Sequence, residues 1–310
     1  MQPAHRGPPG PLTTGRAPSR VPGTVAPGNA RGAPPGNEGE LAWGTSSART
    51  RSAGTARPGL RTPGPTLLWL HGGGFFRGTP AQPEAHDVAR VLAEQGVTVV
   101  TAAYRLAPFP GTGMLRRRPA DTQERFQLPL EDVVAAARAV SAASPHGVVL
   151  GGASAGACLA AAATLHALDD GAPPVGAVFA YGFFHARHPR DGDPAHRSRG
   201  HRRITHAPWA LDVANRNHAG TRQALAHRYA FPGGHDLAGF PPTLVVDAER
   251  DTMRTSGDRF ATELADAGTD VERHVMADSA HAFLNRPGLP AFTTGTALIA
   301  EWIGRRPGHG

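Results

Sequence analysis

The sequence predicts an α/β fold, with a mostly parallel central sheet, helices on both faces and a small insertion over one end. Three observations carry this. From about residue 65 onward, short apolar β-type runs alternate with stretches of helical spacing. That alternation is the pattern of a parallel sheet covered on both sides. The runs are short and continuously apolar, as strands buried on both faces are. The third is "VVLGGASAGACLAAAATL" (148–165), where a lone serine stands at the join of a strand and a helix with glycines two residues to either side.

Taken in order, "TLLWL" (66–70) reads as the first strand and "EAHDVARVLAEQG" (84–96) as a helix ended by glycine. "VTVVTAAY" (97–104) is β-branched and strand-like, and "LPLEDVVAAARAVSAA" (128–143) is helical. The serine-bearing strand and its helix follow. "VGAVFAYG" (175–182) and "TLVVDA" (243–248) are further strands, "SGDRFATELADAG" (256–268) a helix, "DVERHVMA" (270–277) a strand and "AFTTGTALIAEWIG" (291–304) a closing helix. Residues 183–240 break the alternation. They hold no clear strand and include "HARHPRDGDPAHRSRGHRRITH", which reads as a lid or cap over the carboxyl ends of the strands. The histidines of that run lack a nearby cysteine or a familiar ligand spacing, so no metal is expected.

The first 65 residues differ. They contain 12 of the 30 prolines, no aspartate and no apolar period. Such a composition cannot bury enough surface to offset chain entropy, so residues 1–60 read as a disordered Pro/Gly/Arg-rich extension and 61–310 as the folded domain. Of the net charge of +7, +6 belongs to residues 1–65, so the folded part has no general basic excess that would suggest nucleic acid. No apolar leader or run of about 18 apolar residues is present, so neither secretion nor a membrane span is expected, and a cytoplasmic location is. The single cysteine, Cys158, excludes an internal disulfide and reads as a small buried residue. Oligomeric state is left open.

"GASAG" (152–156) fits the G-x-S-x-G elbow, which holds a serine hydroxyl out at the top of a sheet. Gly152 and Gly156 remove side chains that would collide in so tight a turn. A serine nucleophile needs a base, and the base an orienting acid. Candidates follow in chain order: Asp251, just past a predicted strand, and His281, in the loop after the last one. Asp247 competes with Asp251 from inside or at the end of its strand, as a possible rim carboxylate. His274 lies mid-strand and Asp278 is too close to His281 in sequence to orient it. "WLHGGGFFRG" (69–78) places His71 and three glycines after a strand, where bare backbone N–H groups can meet an oxyanion. The N–H of Ala155, after the serine, would complete such a site.

Together these motifs make residues 65–304 resemble the hormone-sensitive-lipase branch of the α/β-hydrolases, which includes many bacterial esterases. "HGGGF" (71–75) is similar to the family's oxyanion loop, which implies donors at Gly73 and Gly74, with His71 and Gly72 as motif support. "YRLAP" (104–108), "FQLPLEDVVAA" (126–136) and "LAGFPPTLVVDAERDTMR" (237–254) match further family stretches. In that register the acid is Asp251, and "HAF" (281–283) gives His281 as base. The chain departs from the pattern at Ala153, Ala157, Cys158, Thr255 and Phe109, and by an insertion at 111–125. The resemblance implies a cofactor-free serine hydrolase that cleaves small carboxylic esters, of short to medium acyl chain, through an acyl-enzyme. The same triad could serve an amidase, formamidase, lactonase or thioesterase. A pseudo-hydrolase that only binds ligand is the reading from another class. With only "ELAWG" (40–44) hinting at a strand before the HGGG loop, the cap is expected to be residues 183–240 and the site comparatively open.

Overall fold

Residues 64–110, 125–190 and 193–306 are described by the computed structural model. The expectations for the extension 1–60 and for most of the insertion at 111–125 fall outside them. Among the described residues no helix is long and apolar enough to cross a membrane.

Six strands form one sheet in the order β2-β1-β3-β4-β5-β6, every pair parallel: β1 (Thr66–Leu70), β2 (Val99–Ala102), β3 (Val148–Ala153), β4 (Gly176–Ala180), β5 (Thr243–Arg250) and β6 (Val271–Ala280). Alternation within β1 sends its side chains to two separate cores. Leu67 and Trp69 pack with α1 (Pro83–Glu94) and α7 (Pro290–Gly304). Leu68 and Leu70 pack with α2 (Gln127–Ala142), α3 (Ala155–Asp169) and α6 (Arg254–Asp266). A sheet buried on both faces has no polar side to show, which is why its strands read as continuous apolar runs. Helix α3 is buried along its whole first three turns, so its alanines serve close packing rather than an amphipathic face.

Two strands differ from their sequence reading for identifiable reasons. β2 is shorter than 97–104. The Val97 N–H turns back to the Leu92 carbonyl at the end of α1, and Tyr104 leaves the ladder to donate its hydroxyl to the His71 carbonyl, 2.8 Å away. β6 is longer than 270–277. Its pairing with β5 shifts register after Ala248↔Met276 and resumes at Arg250↔Ala280. The extra residues on β6 form a bulge with Asp278 at φ 54°. The bulge brings the strand ends level, so the next residues along, Asp251 and His281, emerge side by side.

The segment between β4 and β5 carries α4 (Arg202–Thr205) and α5 (Pro208–Ala219), with short 3-10 turns, and no strand among its described residues. It sits over the carboxyl ends of the strands. Ser198 and Thr252 exchange backbone-to-hydroxyl hydrogen bonds of 3.1 Å in both directions, fastening the lid beside Asp251.

Candidate active site

The strand ends deliver the components to one rim. Leu70 pairs with Gly152 across β1 and β3, so His71 and Ser154 leave neighbouring strands together. Ser154 adopts φ 55°, ψ −118°, a strained conformation that non-glycine residues hold only when their surroundings impose it. The glycines are what allow the turn to close. A Cβ on Gly156 would stand 2.3 Å from the His71 carbonyl oxygen, and one on Gly152 would stand 2.6 Å from the Gly156 carbonyl. Neither gap admits a methyl group.

Ser154, Asp251 and His281 come together at the ends of β3, β5 and β6. His281 Nε2 lies 3.1 Å from Ser154 Oγ, and His281 Nδ1 lies 2.5 Å from Asp251 Oδ2. Nδ1–H donating to the carboxylate leaves Nε2 free to accept the serine proton. Asp251 also accepts the Met253 N–H at 3.0 Å. Burial alone would raise the Asp251 carboxyl, but the charge and hydrogen bond of His281, with His206 and the Met253 N–H, hold it below the ordinary carboxylate value. It therefore remains an anion at neutral pH.

Asp247 is corrected. It is no rim carboxylate but a fully buried group in mid-β5, packed against Gly257 of α6. Arg273 Nε is 3.5 Å away, and among the described residues neither carboxyl oxygen has a hydrogen-bond partner. Burial pushes it up to about 7, against the pull of Arg273. His274 pairs with Glu272 within β6, and Asp278 projects toward Arg250, so neither reaches the site.

The glycine loop stands beside the serine. Gly72 donates its N–H to Glu84 Oε1 at 2.8 Å. Gly73 and Gly74 have φ of 128° and 65°. A side chain at Gly73 would collide with the Arg77 carbonyl, so the loop's reversal depends on glycine there. His71 closes the loop internally, with Nδ1–H to the Gly72 carbonyl at 2.8 Å and its ring stacked on Tyr104 at 4.3 Å. Burial lowers the pKa of that ring, so His71 is neutral. Ala155 is fully buried at the first turn of α3, where helix N–H groups have no intrahelical acceptor.

Sequence reasoning missed Glu84. This buried carboxylate accepts the Gly72 N–H, the Gln82 amide at 2.7 Å and the Tyr181 hydroxyl at 2.9 Å. Tyr181 in turn sits edge-on to the His281 ring at 5.0 Å. Glu84 thus ties the glycine loop to the base. A signal was present: Glu84 lies four residues before Val88 and eight before Leu92, on the apolar face of α1. A carboxylate on a core face needs a partner.

The lid contributes as well. Arg202 donates to the His281 carbonyl, and the His206 ring stands edge-on to His281 at 4.7 Å. With Ser154 and His281 only 5% and 6% exposed, the site is more closed than the sequence suggests, because α4 packs over the base. Burial, then the neighbouring His281, pushes His206 down to about 3. Among the described residues, His206, Asp251 and His281 bring potential ligand atoms within 4.8 Å of one another. A cation there would compete with the Asp251–His281 hydrogen bond. Among the aromatic residues of the glycine loop and the lid, Phe75, Phe183 and Phe184 are buried and Trp209 is exposed. Cys158 is a buried packing residue, with burial holding its thiol protonated.

With this geometry in view, residues 67–285 match the family model described as alpha/beta hydrolase fold. The chain is 31% identical over 257 residues to an acetyl-hydrolase of Streptomyces hygroscopicus, covering 81% of this chain and 79% of that protein. It is 27% identical to the esterase LipI of Mycobacterium tuberculosis, over 75% of this chain and 70% of the other. Among solved structures it superimposes on a hyperthermophilic esterase of the archaeon Pyrobaculum calidifontis with TM-score 0.65, at 28% identity and covering 80% of this chain and 78% of the other. A hormone-sensitive lipase from a metagenome library gives TM-score 0.64 at 27% identity, covering 78% of each chain.

Proposed function

The chain belongs to the alpha/beta hydrolase fold family, and on that premise we propose that it is a serine carboxylesterase acting through an acyl-enzyme on Ser154. It is a hydrolase of the carboxylesterase type, and its relatives named esterase and acetyl-hydrolase support carboxylic esters as substrates. The observation that carries the serine mechanism is the continuous Ser154–His281–Asp251 relay, at 3.1 and 2.5 Å.

In this reading Ser154 Oγ attacks the ester carbonyl while His281 Nε2 takes its proton. The N–H groups of Gly73, Gly74 and Ala155 hold the tetrahedral oxyanion, and Asp251 stabilises the imidazolium. The carbon–oxygen bond to the alcohol then breaks, and His281 returns its proton to the leaving oxygen. Water, deprotonated by the same histidine, attacks the acyl-enzyme, and the acid departs with Ser154 restored. A short to medium acyl chain is supported by the crowding behind the glycine loop. There Phe75 stacks on His218 at 3.8 Å and packs edge-on against Phe183 and Phe231. Side chains fill that volume.

A fluorophosphonate probe tests the reading. One adduct per chain should map to Ser154 and be lost in Ser154→Ala. Turnover of p-nitrophenyl butyrate with no adduct at Ser154 would refute it.

A further inference from the structure

Three arginines stand on three different elements that border this site. Arg202, the first residue of α4, is half-buried and donates to the His281 carbonyl. Arg286 closes the 3-10 turn Phe283–Asn285 that follows His281 directly. Arg77 ends the glycine loop, and its Cγ would lie 3.2 Å from a Cβ on Gly73. Arg286 and Arg77 are close enough to act on Arg202. Burial first, then the charges of Arg286 and Arg77, lowers the Arg202 guanidinium below its ordinary value.

Among the described residues none of the three forms an ion pair with a carboxylate. Elsewhere, neighbouring arginines share an acid: Arg254 and Arg273 both pair with Asp258. Asp251 is the nearby anion, but it is buried and committed to His281. Like charges gathered without a counterion repel, and a partly desolvated guanidinium keeps unused donors suited to a carboxylate.

Their position says which half of an ester they would meet. His281 must return a proton to the leaving oxygen, so the alcohol stands on the His281 side. Arg202 and Arg286 are attached to that side, through the His281 carbonyl and the turn after it. We propose that the ester cleaved here carries a carboxylate on its alcohol half, held by Arg202 and Arg286. This rests on the serine-hydrolase reading above and narrows its substrate class.

The test compares two chromogenic esters that differ by one carboxylate on the leaving group, 3-(butyryloxy)-4-nitrobenzoate and 2-nitrophenyl butyrate. Each is corrected for its own spontaneous hydrolysis. The full-length chain should show kcat/KM about tenfold higher for the anionic ester at low salt, the scale of a charge-assisted hydrogen bond. The ratio should fall toward one as salt screens the site. Arg286→Gln and Arg202→Gln should each lower the ratio several-fold, and Arg286→Glu should take it below one. Arg286 is exposed, so its variants report on charge and not on folding. A ratio of one or less in the wild type, with the neutral ester well hydrolysed, would overturn the proposal. So would a ratio indifferent to Arg286→Glu. Failure of both esters together with no fluorophosphonate adduct at Ser154 would instead refute the hydrolase reading, and this inference with it.

Discussion

Two Ser–His–acid clusters stand among the described residues, and their surroundings differ. The first is Ser154–His281–Asp251. The second joins Ser256 of α6, His185 after β4 and Glu263 of α6, with Ser256 Oγ 2.8 Å from His185 Nδ1 and Glu263 3.2 Å from His185 Nε2. Both serines and both histidines are buried, so their burial does not separate the two sets. The surroundings of the hydroxyl do. Ser256 Oγ already accepts the Phe184 N–H at 2.8 Å, so donating to His185 completes a structural bond network. Glu263 is likewise engaged by the Gly234 N–H and Arg259, and despite the opposing effect of burial its carboxyl is held down at about 2, chiefly by His185 and the Gly234 N–H. Ser154 is instead lifted out of its helix by a positive φ and flanked by the glycine loop. The same three residue types make a clamp where the hydroxyl is saturated. They make a candidate nucleophile where the backbone holds the hydroxyl toward a base and beside unused N–H donors.

The largest expected effect separates the two serines. Ser154→Ala should lower kcat for p-nitrophenyl butyrate by about 10⁶-fold. A variant keeping a tenth of wild-type turnover would mean that the strained serine is not the nucleophile. Next comes the acid. Asp251→Asn should cost about 10⁴-fold in kcat, by leaving the imidazole in the wrong tautomer. Asp247→Asn, four residues earlier and turned into the core, should cost less than about tenfold. Reversed effects would show that the wrong carboxylate has been paired with His281.

Ser256→Ala sharpens the contrast from the other side. It leaves the Phe184 N–H and His185 without their partner, so urea unfolding should show a loss of about 1–3 kcal/mol. The kcat should stay within a few-fold, and a collapse in kcat at unchanged stability would contradict the clamp assignment. The smallest effect is in pH dependence. Asp247 holds its proton to about 7 when folded, whereas the unfolded chain releases it near the ordinary carboxylate value. Between those values the folded state binds more protons, so this group's contribution to stability falls as pH rises and is lost above about 7. Asp247→Asn removes the term. Its stability relative to wild type should therefore rise by on the order of 2 kcal/mol between pH 5 and pH 8. An equal difference at both pH values would show that the carboxyl does not titrate in that window.

The elbow side of the site was legible because its information is local. A strand, two glycines around a serine and an alanine helix specify one turn with little help from distant chain. The glycine loop is similarly self-contained, and residue order was enough to propose Asp251 and His281. The lid side was not legible in this way. Arg202 and His206 belong to a run that reads only as lid or cap, and it is their packing on His281 that reveals which of its residues meet the site. Glu84 reads as an ordinary first-turn acid until the Gly72 N–H and the Tyr181 hydroxyl are seen to converge on it.

By itself the sequence determined the parallel sheet, the strained serine corner and the chain order of the candidate triad. Those follow from apolar periodicity and from backbone conformations that only glycine permits. Tertiary structure decided which aspartate meets His281, because a bulge between β5 and β6 resets the register and sends Asp251 to the rim while Asp247 stays in the core. It also decided which of two Ser–His–acid sets has an unsaturated hydroxyl, and where the lid's arginines stand. Each of these depends on groups far apart in the chain coming within hydrogen-bond reach, and no local pattern encodes a distance between them.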